Sequence, residues 1–236
     1  EGGLAVADIL SGKANPSGKL PMTFPVSYLD IPSSANFPYN YKKTQTGDWD
    51  FLWGGKKKEQ KCIDYTEYNE GIYVGYRYFQ TAGAPVSYPF GYGKSYTTFE
   101  YSKPVVKATD KGFTATITVK NTGAVAGKES VQLYVAAPAG GLEKPAFELK
   151  GFAKTKELAP GESQTLTINV CKYTLASFNE EASAWETAAG TYKVMFGANA
   201  ADIRGTAEYR LKKAESWKVN NVLAPAQLIN ELTLQK

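Results

Sequence analysis

Carboxylates and tyrosines crowd one short stretch, "DYTEYNEG", residues 64–71. Asp64, Glu67 and Glu70 alternate there with Tyr65 and Tyr68. Tyrosine rings cover the apolar faces of sugars and carboxylates accept hydroxyl hydrogen bonds, so the five residues are candidates for a substrate-binding edge. A second reading stays open. In it Glu70 pairs with Arg77 or caps backbone amides, while Tyr73 and Tyr76 pack inside. A further carboxylate pair, Asp48 and Asp50 in "GDWD", flanks Trp49. No apolar strand precedes it to aim a nucleophile, so Asp48 is set aside as a catalytic group. Histidine is absent and the cysteines, Cys62 and Cys171, stand far apart. A histidine-based triad and histidine metal ligands are therefore excluded, and no metal-ligand spacing is present. No cofactor is implied.

The elements that would position these groups fall into three parts: residues 1–96, 97–213 and 214–236. In the first part Val6, Ile9 and Leu10 recur at helical spacing after Gly2-Gly3, and Gly12 is a plausible stop. "NPSG" makes a turn, and Leu20, Met22 and Phe24 alternate as in a short strand. One helix and one strand cannot bury a core, so this piece reads as the end of a larger α/β sandwich domain. From Pro25 to about Tyr88 the chain is irregular and aromatic-rich, with a long loop over Lys42–Lys61. "NEGIYVGYRYF", residues 69–79, reads as an ordered helix or strand beside a site or interface.

The second part carries the clearest pattern. Phe113, Ala115, Ile117 and Val119 alternate with polar residues, as do Val131, Leu133 and Val135, then Leu166, Ile168 and Val170, then Tyr192, Val194 and Phe196. Adding Phe99–Val106, Phe147–Phe152 and Thr206–Leu211 predicts seven strands, separated by "TDKG", "NTGAVAG", "APGES" and "AAG". "NEEASAWE", residues 179–186, reads as an exposed turn. This is the period-2 signature of an antiparallel sandwich. Without an inter-sheet cysteine pair around a tryptophan, a fibronectin type III-like (Ig-like) sandwich fits better than an antibody-type one. The fold class is mainly β, with the end of an α/β domain and an aromatic-rich loop in front. A tail rich in apolar residues packs back on the body or frays.

Composition narrows the partners. The chain has 236 residues, 43% of them hydrophobic, 21% charged, with a net charge of +4. Its lysines form no basic stripe, so nucleic acid is not expected. No apolar run reaches the roughly 18–20 residues of a membrane span.

Five stretches in order resemble the C-terminal part of family 3 glycoside hydrolases, the β-glucosidase and β-xylosidase family. They are "EGGLAVADILSGKANPSGKLPMTFP" (1–25), "YNEGIYVGYRYF" (68–79), "PFGYGKSYTTFEYS" (89–102), "ELKGFAKTKELAPGES" (148–163) and "AGTYKVMFGANAADIR" (189–204). The resemblance implies that residues 89–102 join the α/β sandwich domain to the fibronectin-like one, with Phe90, Tyr92 and Tyr96 filling the seam and Gly91 and Gly93 permitting close backbone approach. It implies a retaining mechanism using two carboxyl groups about 5–5.5 Å apart. In the family the nucleophile belongs to an N-terminal barrel and the acid/base glutamate lies upstream of the segment matching Glu1. No catalytic residue is therefore expected in this chain, whose partners would be that barrel, the rest of the α/β domain and a β-linked glycoside. The resemblance further implies a bacterial, periplasmic or secreted enzyme. A stand-alone Ig-like carbohydrate-binding or structural module is the alternative.

Overall fold

The computed structural model describes residues 1–36 and 68–234. Helix α1 (Gly2–Leu10) ends at Ser11, with Gly12 at φ 77°, the left-handed conformation that suits glycine. Beyond the "NPSG" turn, β1 (Phe24–Pro25) is shorter than the Leu20–Phe24 alternation predicts, because Pro21 and Pro25 remove ladder donors. After the aromatic stretch, helix α2 (Tyr76–Ala82) stops at Gly83, φ 64°, and β2 (Val86–Tyr88) returns antiparallel to β1.

Two sheets then face each other. The first holds β3 (Phe99–Tyr101), β4 (Val105–Thr109), β5 (Gly112–Asn121) and β8 (Ser163–Cys171). The single strand predicted over Phe99–Val106 is two. Pro104 has no N–H to give to the ladder, so β3 and β4 pair with separate halves of the same edge of β5. Ser102 bridges the gap: its N–H donates to Thr118 O at 2.9 Å and its hydroxyl accepts from Thr118 N at 3.0 Å. The second sheet runs β7 (Glu148–Lys154), β6 (Ser130–Ala136), β11 (Gly190–Asn199) and β12 (Asp202–Leu211).

The inward faces are those the alternation picks out. Phe113, Ile117, Val119, Val131, Leu133, Leu166, Val170, Tyr192, Val194 and Phe196 form one buried cluster between the sheets. The last inward position of β5 is polar, yet Asn121 is fully buried. Its amide donates to Val125 O and Leu158 O at 2.8 Å each, and its oxygen accepts from the Thr97 hydroxyl and Gly123 N. All four of its hydrogen-bonding positions are thus satisfied, which is what permits its burial.

A small third sheet corrects the reading of residues 179–186 as an exposed turn. Here β9 (Ser177–Asn179), β10 (Ala184–Thr187) and β13 (Glu215–Lys218) pair antiparallel, aligning Phe178, Trp185 and Trp217 across the strands. Tyr173 packs against both tryptophans, 5.9 and 5.3 Å between ring centres. None of the described helices is long and apolar enough to cross a membrane.

Candidate functional site

Strand β6 is buried on both faces, which the alternation does not foresee. Its outward residues Gln132 and Tyr134 lie beneath the segment that joins α2 to the sandwich. Phe90 stacks on Tyr76 at 4.7 Å, Tyr76 meets Tyr134 edge-on at 6.0 Å, and Phe147 closes the group at 5.1 Å from Tyr134. Burial raises the hydroxyl pKa of both Tyr76 and Tyr134. Tyr76 Oη accepts the Leu149 amide at 2.7 Å.

Gly91 lies over Gln132. The Gln132 amide donates to Gly91 O and Ala198 O at 3.2 Å each, and its oxygen accepts from the Tyr134 hydroxyl. Gly91 has φ 79°, and any Cβ there would strike the Gln132 side chain. Gly93 makes the same kind of approach to Gly18 and Lys19. Phe90 therefore fills the seam. Tyr92 instead packs on Tyr88 at 5.0 Å, and Tyr96, half exposed, donates its hydroxyl to Ile9 O at 2.8 Å.

Directed polar bonds fix residues 9–20 to the sandwich. Asn15 donates to Ala126 O at 2.9 Å and accepts from Tyr96 N at 2.8 Å and Ser95 at 3.0 Å. Lys154 reaches Ser17 O at 3.2 Å. Lys19 pairs with Glu129 at 3.3 Å, the two side chains only 17% and 7% exposed. Glu129 also accepts from Tyr101 Oη at 2.8 Å, and burial plus this carboxylate hold the Tyr101 hydroxyl far above the usual tyrosine range. Arg204 lies over the Tyr101 ring at 5.0 Å and grips Asp202.

The sequence-predicted edge is only partly in view. Asp48, Asp64, Tyr65 and Glu67 lie outside the described residues, as does Cys62. Tyr68 is 80% exposed, whereas Glu70 is 9% exposed. The Glu70 carboxylate forms no ion pair with Arg77, which pairs with Glu148 at 3.6 Å. Tyr73 is buried, and Tyr76 packs in the aromatic group. Tyr73 donates to Glu143 at 2.6 Å, and burial and that carboxylate push its pKa to about 12.

Many carboxylates among the described residues are engaged elsewhere: Glu129 by Lys19, Glu148 by Lys150, Glu162 by Lys156, Asp202 by Arg204 and Glu215 by Lys172. Paired acids of this kind brace a structure, whereas glycoside cleavage needs a nucleophile and a proton donor facing one bond. Among the described residues no cluster of acids or thiols could hold a metal ion. Lys19, Tyr101, Glu129, Gln132 and Glu143 are absent from the sequence-predicted set. For Gln132 the signal available is an amide on the outward face of an otherwise apolar strand.

Residues 1–76 match the family model described as the glycosyl hydrolase family 3 C-terminal domain, and residues 129–200 match a fibronectin type III-like domain. The chain belongs to glycoside hydrolase family 3, to the C-terminal portion of its members. It is 39% identical to probable beta-glucosidase K of Emericella nidulans, covering 91% of this chain and 23% of that protein. It is 40% identical to beta-glucosidase A of Butyrivibrio fibrisolvens, over 97% of this chain and 28% of the other. The structure of beta-glucosidase 3B from Thermotoga neapolitana in complex with glucose superposes with a TM-score of 0.79 at 40% identity, covering 91% of this chain and 27% of that one. The chain thus spans about a quarter of the length of these relatives.

Proposed function

We propose that this chain serves as the C-terminal scaffold of a retaining β-glycosidase acting on terminal β-linked sugars. The observation that carries the reading is the match, across nearly the whole chain, to the C-terminal quarter of proteins named as β-glucosidases. Those names favour glucosides over xylosides as substrate. Two physical features support it. Glu129, Glu148, Glu162, Asp202 and Glu215 are committed to cations, and helix α1 leaves Leu4 and Leu10 about three-quarters exposed, an apolar face to be covered by another body. In this reading both catalytic carboxyl groups come from the part of the family polypeptide that this chain does not span. The enzyme so formed is exported to the periplasm or beyond the cell, a reading supported by the family resemblance.

The test compares the purified 236-residue chain with the same chain joined to a family 3 N-terminal portion, on aryl β-glucosides and β-xylosides. Turnover is expected from the joined protein and not from the chain alone. Turnover by the chain alone that disappears on Glu70→Gln would place the chemistry here and overturn the proposal. Fractionation of cells tests export, and retention in the cytoplasm counts against it.

A further inference from the structure

The end of the chain comes back onto the turn that carries Glu70. Leu232 N donates to Asn69 O at 2.7 Å. One residue on, the Thr233 hydroxyl meets both oxygens of Glu143, at 2.8 and 2.9 Å, and Leu234 N donates to the same carboxylate at 2.9 Å. That carboxylate also accepts the Tyr73 hydroxyl. Three elements remote in sequence therefore meet on one side chain: the 69–73 turn, the loop between β6 and β7, and residues 232–234.

Each element is shaped for the meeting. The turn closes through Tyr73 N to Glu70 O at 2.9 Å and passes Gly71 at φ 55°. A Cβ at Gly71 would sit 2.6 Å from the Glu231 carboxylate, so the terminal segment lies directly on the turn. The loop bearing Glu143 is drawn tight by Lys144, whose ammonium donates to Leu142 O at 2.9 Å and Gly140 O at 3.3 Å. Tyr73, its pKa raised to about 12, remains a hydrogen-bond donor throughout the neutral range. Bonds to an ionised acceptor are the stronger kind, and these lie on a partly buried group.

We propose that residues 231–234 form a strap that holds the Asn69–Tyr73 turn in place, with Glu143 tying strap, turn and sandwich together. The turn presents Tyr68, largely exposed, and Glu70, largely buried, so their setting depends on the C-terminus. Leu232 and Leu234 add partial apolar burial to these bonds, whereas Val222, Leu223 and Leu228, which precede the strap, are largely exposed.

Hydrogen–deuterium exchange on the full chain tests this, beside Glu143→Ala and a chain ending at Asn230. In the shortened chain, amides of residues 69–74 are expected to exchange roughly tenfold faster or more, the scale of losing hydrogen bonds to a charged group. Peptides of β5 should keep their protection, which shows that the sandwich remains folded. Glu143→Ala should speed exchange both in 69–74 and in 231–234. Unchanged exchange over 69–74 in the shortened chain would overturn the proposal. So would a Glu143→Ala protein whose 231–234 amides stay as protected as before.

Discussion

Removing the Glu129 carboxylate should loosen the seam by a calculable amount. Glu129 is buried and receives both the Lys19 ammonium at 3.3 Å and the Tyr101 hydroxyl at 2.8 Å. Breaking a buried ion pair by deleting one partner costs about 3–5 kcal/mol, because the other charge is left uncompensated. Lys19 keeps 17% of its side chain exposed and can swing toward water, which reduces its share to about 2 kcal/mol. Tyr101, held beneath Arg204, has no such exit, and an orphaned buried hydroxyl costs about 1–3 kcal/mol. Glu129→Ala should therefore destabilise the chain by about 3–5 kcal/mol. Glu129→Gln keeps an acceptor for Tyr101 and loses only the charge, so its cost should be nearer 2 kcal/mol. Urea unfolding followed by tryptophan fluorescence measures both, and a double-mutant cycle with Lys19→Met isolates the pair, with an expected coupling of about 1–2 kcal/mol. A cost below about 1 kcal/mol for Glu129→Ala, or equal costs for the Ala and Gln variants, would refute the reasoning.

Two further outcomes follow from the same geometry. Gly91→Ala places a side chain at φ 79° against the Gln132 amide, so backbone strain adds to the loss of three buried hydrogen bonds and the cost should reach about 3 kcal/mol; adding Gln132→Ala clears the clash, so the double variant should be less destabilised than the sum of the singles, and strict additivity in urea unfolding would count against the contact. Tyr73 holds its proton to about pH 12 in the folded chain against about 10 when unfolded. Between those values the folded state binds more protons, so this contribution is complete below pH 10 and is lost as the pH rises toward 12. Ultraviolet titration of Tyr73→Phe should lack one ionisation step near pH 12, and an unchanged titration curve would be the contrary result.

Where one face of a strand meets the core and the other meets water, the sequence is enough to place it. Strand β8 shows this plainly, with Leu166, Ile168 and Val170 buried and their neighbours exposed. Legibility fails where a remote segment covers the second face. Gln132 and Tyr134 alternate as outward residues should, yet Phe90 and Gly91, some forty residues away, and Tyr76, more than fifty away, cover them. It fails again in strands too short to show a period: β9, β10 and β13 have three or four residues each, and only cross-strand pairing assembles their aromatics. The same limit applies to the candidate edge. Sequence proximity suggests Arg77 for Glu70, but Arg77 on α2 pairs with Glu148 on β7, a choice made by the packing of the helix and not by spacing in the chain.

The balance of forces across the first twenty residues bears on what the seam does. Helix α1 buries none of its residues, so hydrophobic burial within this chain does not hold it. What holds it is directional: Tyr96 to Ile9 O, Asn15 to Ala126 O, and the Lys19–Glu129 pair. Hydrogen bonds and ion pairs add modest net stability but fix position and angle, whereas apolar area adds stability without direction. A segment oriented by the first and left bare of the second is set to receive an apolar surface in one orientation. The sandwich supplies that orientation, because Ala126, Glu129 and Lys154 all sit on or beside its strands β6 and β7. In the proposed enzyme the fibronectin-like unit thus acts as the reference frame against which the α/β segment is aligned, and the strength of the Lys19–Glu129 tie limits how far that alignment can drift.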